Sequence, residues 1–359
     1  MKYQYWLANI SGVGTRAIHK MLAQTESAEE IYHLDQNGLA KISGLSDRQR
    51  AAIAEKKKSW DLEKEYESLL SQGINFLSYE MDAYPDSLRN ISDPPYSLYI
   101  KGCMPDFTKR RAAIVGARMC SDYGKTFARK IGNSLGRQGV EVISGLARGI
   151  DSYGHEGALE GNGRTFAVLG CGVNYCYPQS ARKLYDRILE HGGILSEYPP
   201  DTKPLPCLFP ARNRIISALS DMVIVVEAKG KSGSLITADF ALEQGKDVYA
   251  VPGRITDELS TGCNNLIRQG AGIITSVEEL QKDLGFEQPE GFWQENFNKL
   301  LLEKDESLVY ACLSLRPKSM EELLKETKFE MPKMAGILQN LMQKEFVTET
   351  FKNYYIRKI

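Results

Sequence analysis

Glycine-rich segments that follow short apolar runs are the part of this chain best suited to binding a ligand. Glycine lets a backbone approach a ligand closely, and the unpaired N–H groups at the start of a following helix favour an anion. The run-and-loop pairs are Ala112–Val115 with Gly116-Ala117-Arg118, Val140–Ser144 with Gly145–Gly149, Phe166–Leu169 with Gly170-Cys171-Gly172, and Met222–Val226 with Ser232-Gly233-Ser234. The basic side chains around them are Arg118, Arg148, Arg212, Arg214, Lys229 and Lys231. This pattern suits a polymer of phosphates better than one small molecule, so we expect no cofactor.

Elements of a doubly wound sheet are needed to bring these loops together. Short β-branched runs separated by helical stretches predict parallel strands with crossover helices. Further strands are predicted at Gly193–Ser196, Asp247–Val251 and Gly272–Thr275, which makes about seven in one mostly parallel sheet. The loops that leave the carboxyl ends of parallel strands meet at one edge, where ligands bind.

Composition restricts the class of protein. A length of 359 residues allows two or three domains, and an apolar share of 42% is ordinary for a soluble protein. Neither a membrane-spanning run nor a signal-peptide pattern is found, so a cytoplasmic protein with no membrane contact is expected. The seven cysteines form no CxxC pair and the four histidines are dispersed, so no metal site is expected. Net charge is −1, so any nucleic-acid site must be a local patch.

The amino-terminal region, residues 1–75, is predicted to be a helical domain. Ile10–Gly14 precedes an apolar helical stretch, and Ile42–Leu45 repeats this arrangement more loosely. The first segment resembles a helix-hairpin-helix turn, whose backbone N–H groups can contact a DNA phosphate. The alternative is a small helical bundle in which these glycines only form turns. Residues 76–286 would then form the sheet domain, with extended pieces before the first glycine loop.

The carboxyl-terminal region is predicted to be a separate module. Residues 287–298 are polar and contain Pro and Gly, which indicates a linker. Residues 299–359 are predicted to form three helices and a hairpin, the pattern of a winged helix. Its third helix, Pro332–Lys344, carries only two lysines as charges, which is poor for phosphate neutralisation. Protein contact or a folding role is therefore the alternative to DNA binding.

Segment 112–275 closely resembles the DNA-processing protein A family, DprA, also called Smf. The residues that carry the resemblance are AIVGAR at 113–118, SGLARGID at 144–151, AVLGCGV at 167–173, LSEYPP at 195–200, FPARNRIISALS at 209–220, VVEAKGKSGSLITADFALEQGKDVYAVPG at 225–253 and GCNNLIRQGA at 262–271. The one departure is Ser152-Tyr153-Gly154, where the family usually has small residues, mainly alanines. The resemblance implies an extended Rossmann-like domain between an amino-terminal helical (SAM or helix-hairpin-helix-like) domain and a carboxyl-terminal winged helix.

The resemblance also implies partners. It implies a homodimer that associates through the Rossmann-like domain and binds single-stranded DNA. Family members protect incoming strands during natural transformation and help to load the RecA recombinase on them, and this role requires no catalysis.

Candidate DNA-binding residues come from the loops and from the resemblance. Arg118 matches a family arginine that contacts DNA; the alternative is an ion pair with Asp151 or Glu227. One of the arginines at 212 and 214 could instead be structural, and two tyrosines could stack on bases or pack in the core. The full set is Arg118, Gly145, Arg148, Gly149, Gly172, Tyr175, Tyr177, Arg182, Lys183, Arg212, Asn213, Arg214, Lys229, Lys231, Ser232, Gly233, Ser234 and Thr237.

Enzymatic interpretations are weaker. Ser144, Asp151 and His155 invite comparison with a catalytic triad, but no nucleophile elbow is present. Gly170-Cys171-Gly172 is too short a fragment of the dinucleotide fingerprint to indicate NAD. Ser232–Thr237 followed by Glu243 distantly resembles nucleotide phosphoribohydrolases of the lysine-decarboxylase-like group, but the Pro-Gly-Gly triplet of that group is missing. This enzyme class remains the alternative to a non-catalytic DNA binder, and an adaptor that acts through its winged helix is a third hypothesis.

Overall fold

The computed structural model describes residues 1–286, 302–314, 316–344 and 346–357. The chain forms two compact units, Met1–Leu284 and Gly285–Ile359, which are described separately below. The predicted linker at 287–298 lies outside the described residues. Within the described residues, no helix is long and apolar enough to cross a membrane.

The first unit begins with a helical region, as predicted. Ser46 caps α5 with a capping box to Gln49, and the turn glycines Gly12 and Gly44 have φ values of 82° and 80°. These helices enclose an apolar cluster of their own around Trp6 and Met21. The helices are α1 (Lys2–Ala8), α2 (Thr15–Leu22), α3 (Ala28–His33), α4 (Gln36–Lys41), α5 (Asp47–Ser59) and α6 (Leu62–Ser71).

A nine-stranded sheet follows, with the strand order β1-β2-β6-β5-β4-β3-β7-β8-β9. The strands are β1 (Ile74–Ser78), β2 (Ser97–Gly102), β3 (Arg111–Val115), β4 (Glu141–Ser144), β5 (Thr165–Val168), β6 (Gly193–Ser196), β7 (Met222–Val225), β8 (Asp247–Ala250) and β9 (Gly272–Ile273). Neighbouring strands are parallel throughout the part of the sheet that runs β6-β5-β4-β3-β7-β8-β9. Strand β2 is antiparallel to both β1 and β6. The predicted seven strands are confirmed as β3–β9. The estimate of seven was too low because two strands of the lead-in join the same sheet.

Helices cover both faces of the sheet, so successive residues of one strand pack in two different apolar clusters. Phe166 and Val168 pack in the cluster that contains α11 and α12, whereas Ala167 and Leu169 pack in the cluster that contains α10. The helices of this region are α7 (Asp86–Arg89), α8 (Asp122–Arg137), α9 (Ile150–Glu160), α10 (Arg182–His191), α11 (Leu208–Leu219), α12 (Gly233–Glu243), α13 (Thr261–Arg268) and α14 (Val277–Asp283). This is an α/β fold with a mostly parallel sheet.

In its described residues, the second unit contains three helices and a small antiparallel sheet in strand order β10-β12-β11. Val309, Leu323, Leu338 and Leu341 pack in its core. Its elements are α15 (Lys304–Cys312), β10 (Lys318–Ser319), α16 (Met320–Thr327), α17 (Met331–Gln343), β11 (Val347–Phe351) and β12 (Tyr354–Arg357).

Candidate nucleic-acid interface

The glycine loops meet at one edge of the sheet, as expected from the parallel strands. We call this edge the rim; its loops are 116–121, 145–149, 169–181, 197–207, 226–232 and 251–257. Neighbouring loops touch through their backbones. Ala117 accepts a hydrogen bond from the N–H of Ile150 at 3.2 Å and donates to the carbonyl of Glu227 at 2.6 Å. Loops after β3, β4 and β7 therefore form one continuous surface.

Arg212 lies under the rim, not on it. It is 5% exposed, and its guanidinium donates to the carbonyls of Gly145 (2.9 Å) and Val168 and to Oδ1 of Asn213 (3.2 Å). Burial lowers its pKa to about 10, and the nearby charge of Asp151 opposes that shift. The prediction that Arg212 contacts DNA is corrected for this reason: its donors are used to hold the loops after β4 and β5.

The next two residues of α11 are also structural. Asn213, 9% exposed, donates from its Nδ2 to the carbonyl of Gly233 at 3.1 Å. Arg214, 6% exposed, makes a two-pronged ion pair with Glu197 at 2.7 and 2.6 Å, and its Nε donates to the Asp93 carbonyl. Direct DNA contact by either side chain is therefore not supported. The sequence-based alternative, a structural role for one of these arginines, applies to both Arg212 and Arg214.

Backbone contacts predicted at the glycines are also corrected in part. The Gly145 N–H donates to the carboxylate of Asp151 at 3.1 Å, and the Gly172 N–H donates to the carbonyl of Thr202 at 2.8 Å, so neither is free for a phosphate. A Cβ at Gly145 would overlap the Arg212 guanidinium, and one at Gly172 would overlap the carbonyl of Pro200. Gly149 has φ +80°, and a Cβ there would overlap the carbonyl of Ala117. These glycines allow the loops to pack closely on one another.

Arg118 and Arg148 differ from the buried arginines in exposure and in pairing. Both are exposed on the rim, and neither forms an ion pair with any of the described residues. The alternative pairing of Arg118 with Asp151 or Glu227 is absent within the same residues. Glu227 instead accepts hydrogen bonds from the N–H and hydroxyl of Ser121 at the start of α8. Two guanidinium groups are thus left for an outside partner.

Arg182 and Lys183 begin α10, next to the loop after β5. Both are exposed, but Arg182 forms an ion pair with Asp186 at 2.9 Å on the same helix face. Solvent screens an exposed i,i+4 pair of this kind, so a phosphate could replace Asp186 as its partner. Lys183 has no ion pair among the described residues.

Aromatic rings line the rim beside Arg118. Tyr177 is 47% exposed, and its ring centroid lies 5.3 Å from that of Phe209 with an interplanar angle of 32°. The Arg118 guanidinium lies 5.8 Å from the Phe209 ring on the same surface. Tyr175, by contrast, is half-buried and packs against the core cluster of α10. Phe209 was missed as a site residue although it begins the quoted FPARNR segment; its aromatic type beside arginines was the available signal.

The start of α12 forms the β7 side of the rim. Ser232 caps the helix, and its hydroxyl lies 2.8 Å from the hydroxyl of Ser234. Ser234 and Thr237 are buried, at 8% and 1% exposure, so their predicted contacts with a phosphate are corrected. Lys229 forms an ion pair with Glu258 at 2.6 Å, whereas exposed Lys231 has none among the described residues. Lys231 and the exposed Gly233 remain available.

Comparison with known proteins gives the family. A family model described as DNA recombination-mediator protein A matches residues 75–285. The DNA processing protein DprA of Streptococcus pneumoniae is 39% identical over 287 residues, which cover 79% of this chain and 98% of that relative. The chain belongs to the DNA recombination-mediator protein A family. Membership in this family gives the chain a role in DNA processing, and it confirms the resemblance to DprA and Smf proteins.

Two solved structures of the family resemble this one. The X-ray structure of DprA from Streptococcus pneumoniae has a TM-score of 0.69 and 37% identity, covering 80% of this chain and 99% of that chain. A Helicobacter pylori structure, reported for the unique single-stranded DNA binding mode of DNA processing protein A, has a TM-score of 0.53 and 31% identity. It covers 59% of this chain and 95% of that chain. The family consists of DNA-binding proteins that are not enzymes, in agreement with the expectation for this chain.

The residues considered for a catalytic triad are held by structural contacts in this family member. Ser144 donates to the carbonyl of Ile114 at 2.5 Å. Nδ1 of the buried His155 lies 2.6 Å from Oγ1 of Thr165. Desolvation lowers the pKa of His155 to about 3, so it stays neutral and is a poor general base near pH 7. Among the described residues, no group of three or more His, Cys, Asp or Glu could hold a metal ion.

The phosphoribohydrolase alternative conflicts with the geometry of α12. Gly233 begins this helix and Glu243 ends it, so Glu243 lies ten positions beyond the first residue of the helix and six beyond Thr237, the last residue of the predicted loop. At a rise of 1.5 Å per residue, these separations are roughly 15 and 9 Å along the helix, which disfavours joint action of Glu243 and the helix start on one bond.

Proposed function

We propose that the rim of the first unit binds single-stranded DNA. The proposal depends on a difference in exposure and pairing among four arginines at or below the rim. Arg212 and Arg214 use their donors inside the protein, whereas Arg118 and Arg148 point their charges outward with no ion pair among the described residues. An unpaired guanidinium with five donors in a planar fork is well suited to a phosphate.

Two aromatic rings at the rim, the exposed Tyr177 and the half-buried Phe209, favour a single strand over a duplex. Tyr177 and Phe209 lie next to Arg118, so a phosphate held by the arginine would bring its neighbouring bases to the rings. Stacking on an aromatic ring needs an unpaired base and is worth about 1–3 kcal/mol per base. The relative from Helicobacter pylori, which is described by its single-stranded DNA binding, supports the same choice. The proposed site comprises Arg118, Arg148, Gly149, Tyr177, Arg182, Lys183, Phe209, Lys231, Ser232 and Gly233.

The domain assignment is proposed in the same terms. The helical region and its glycine turns support a SAM or helix-hairpin-helix-like domain at 1–75, and the sheet region at 76–286 is proposed to be Rossmann-like. The second unit has the elements of a winged helix. Lys333 and Lys344, the lysines of its third helix and its end, form ion pairs with Asp305 and Glu306 at 2.7 Å. Because both charges are neutralised, we favour protein contact over DNA binding for this unit.

The partners that we propose for this protein are those suggested by its family membership. We propose that the protein acts in the cytoplasm, protects incoming single strands during natural transformation or recombination, and helps to load the RecA recombinase on them. A homodimer through the Rossmann-like domain is also proposed. Ile273, at 47% exposure, is a candidate for this interface because it lies on the short edge strand β9. Leu266 is 6% exposed and belongs to the core, so it is not a candidate.

A binding measurement tests the proposed function. Fluorescence anisotropy with a labelled single strand should give micromolar or better affinity that weakens as salt rises. The same strand annealed to its complement should bind at least roughly ten-fold more weakly, because its bases cannot stack on the rim. Equal or tighter binding of the duplex would contradict the proposal.

A further inference from the structure

Met119 and Ile255 are the two most exposed large apolar side chains of the described residues, at 87% and 94% exposure. Both belong to the rim, in the loops that follow β3 and β8. Exposed aliphatic side chains lose the free energy that burial would give. Because both lie on the rim together with unpaired cations, they are candidates for contact with the same partner as those cations.

The backbone holds both side chains in defined places. Ser121, two residues after Met119, donates its N–H to Glu227 at 2.9 Å, and the hydroxyl of Tyr123 donates to the Pro252 carbonyl at 3.0 Å. The loop after β8 is fixed on its other side by two hydrogen bonds between Gly253 and Asn264, at 3.2 and 3.0 Å. The two loops that carry Met119 and Ile255 therefore flank the β7 loop at the same edge of the sheet.

Charge around these side chains favours a polyanion. Arg118, Lys231 and Arg254 are exposed and form no ion pair with a described residue. The acidic groups nearby are each engaged by protein groups except the exposed Asp122 at the start of α8. Glu258 pairs with Lys229, Asp257 accepts from the N–H of Leu259, and the buried Glu227 accepts from Ser121. An aliphatic side chain between cations can contact the face or the methyl group of an unpaired base while the cations bind the adjacent phosphates.

We infer that the DNA path continues beyond Arg118 across the β7 and β8 loops, with Met119 and Ile255 in contact with bases and Arg254 with a phosphate. This inference rests on the proposed function. An anionic membrane could also contact this combination of cations and apolar side chains. DNA is favoured because Met119 directly follows Arg118, which belongs to the proposed DNA site. Two aliphatic side chains on separate loops also lack the extended apolar face of a helix that lies on a bilayer.

The test is a double variant, Met119→Gln with Ile255→Gln, in the full chain. Both sites are exposed, so the midpoint of chemical unfolding should be the same as that of wild type. Affinity for a labelled single strand should fall at least ten-fold, and a 2-aminopurine strand should lose part of its fluorescence change. The slope of log affinity against log salt should be unchanged because no charge is removed. Leu70→Gln, an exposed apolar residue of α6, is the matched control and should bind as wild type does.

Three other results would overturn the inference. If wild type binds the single strand and the double variant binds it equally well, the inferred base contacts are wrong and the proposed function stands. If wild type does not bind the single strand, both the inference and the proposed function are wrong. Wild-type adsorption to phosphatidylserine vesicles that the double variant loses, with DNA affinity unchanged, reassigns the two side chains to a lipid surface.

Discussion

Replacing Arg212 with methionine lowers the free energy of unfolding by about 3–5 kcal/mol, the cost of removing one partner from a buried charge network. Its guanidinium satisfies two carbonyls, those of Gly145 and Val168, and its charge acts on the buried Asp151. Methionine fills most of the space but donates no hydrogen bond. Guanidinium chloride unfolding measures the loss, and the exposed Arg137→Met at the end of α8 is the control, with an expected change below about 0.5 kcal/mol.

The same variant should show a distinct pH dependence. Burial raises the pKa of Asp151, and the charge of Arg212 opposes the rise. Without Arg212 the pKa of Asp151 rises further. At pH values between the unfolded and the folded pKa of Asp151, the folded state then binds more protons than the unfolded state. Stability therefore falls as pH increases through that range. Part of the lost stability should therefore return as the pH is lowered from 7 towards 4. A variant whose deficit is independent of pH would show that Arg212 does not support Asp151 electrostatically.

Removing Arg118 and Arg148 together should have the largest effect on DNA affinity with little effect on folding. A hydrogen bond to a charged group contributes about 1.5–3 kcal/mol, so the double alanine variant should bind a single strand at least roughly 100-fold more weakly. Two fewer phosphate contacts should also reduce the salt slope by about 1.4. The measurement is anisotropy at several salt concentrations.

The matched control keeps the change in net charge but moves it to the opposite edge of the sheet. Arg137 and Arg268 lie in the last turns of α8 and α13, are exposed, and form no ion pair within the described residues. The Arg137→Ala, Arg268→Ala variant should keep its affinity within about three-fold of wild type, because charges farther than a Debye length are screened. Equal losses in the two double variants would show that only net charge matters.

Local patterns were sufficient to predict much of the sheet and its rim. Short β-branched runs separated by helical stretches identify strands β3–β9, and the chemistry of glycine places the loops at their carboxyl ends. The antiparallel strands β1 and β2 were predicted only as extended pieces. Their pairing depends on partners far away in the sequence, since β2 joins β6 through residues about a hundred positions apart.

The site was harder to predict, because exposure is a property of the fold. Arg118, Arg148, Arg212 and Arg214 have the same side chain and lie beside similar loops. Only the structure shows that carbonyls and a carboxylate surround the two on α11, whereas the other two face outward. Residue type therefore predicted a cationic rim correctly in general but assigned two structural arginines to it.

Photo-crosslinking tests the central claim most directly. A single strand that contains 5-iododeoxyuridine, irradiated in complex with the full chain and analysed by mass spectrometry, reports which side chains lie against its bases. We predict crosslinks at Tyr177 and Phe209 that disappear in the Arg118→Ala, Arg148→Ala variant. Crosslinks concentrated on Phe351 and Tyr354, the exposed aromatic residues of the second unit, would contradict the account.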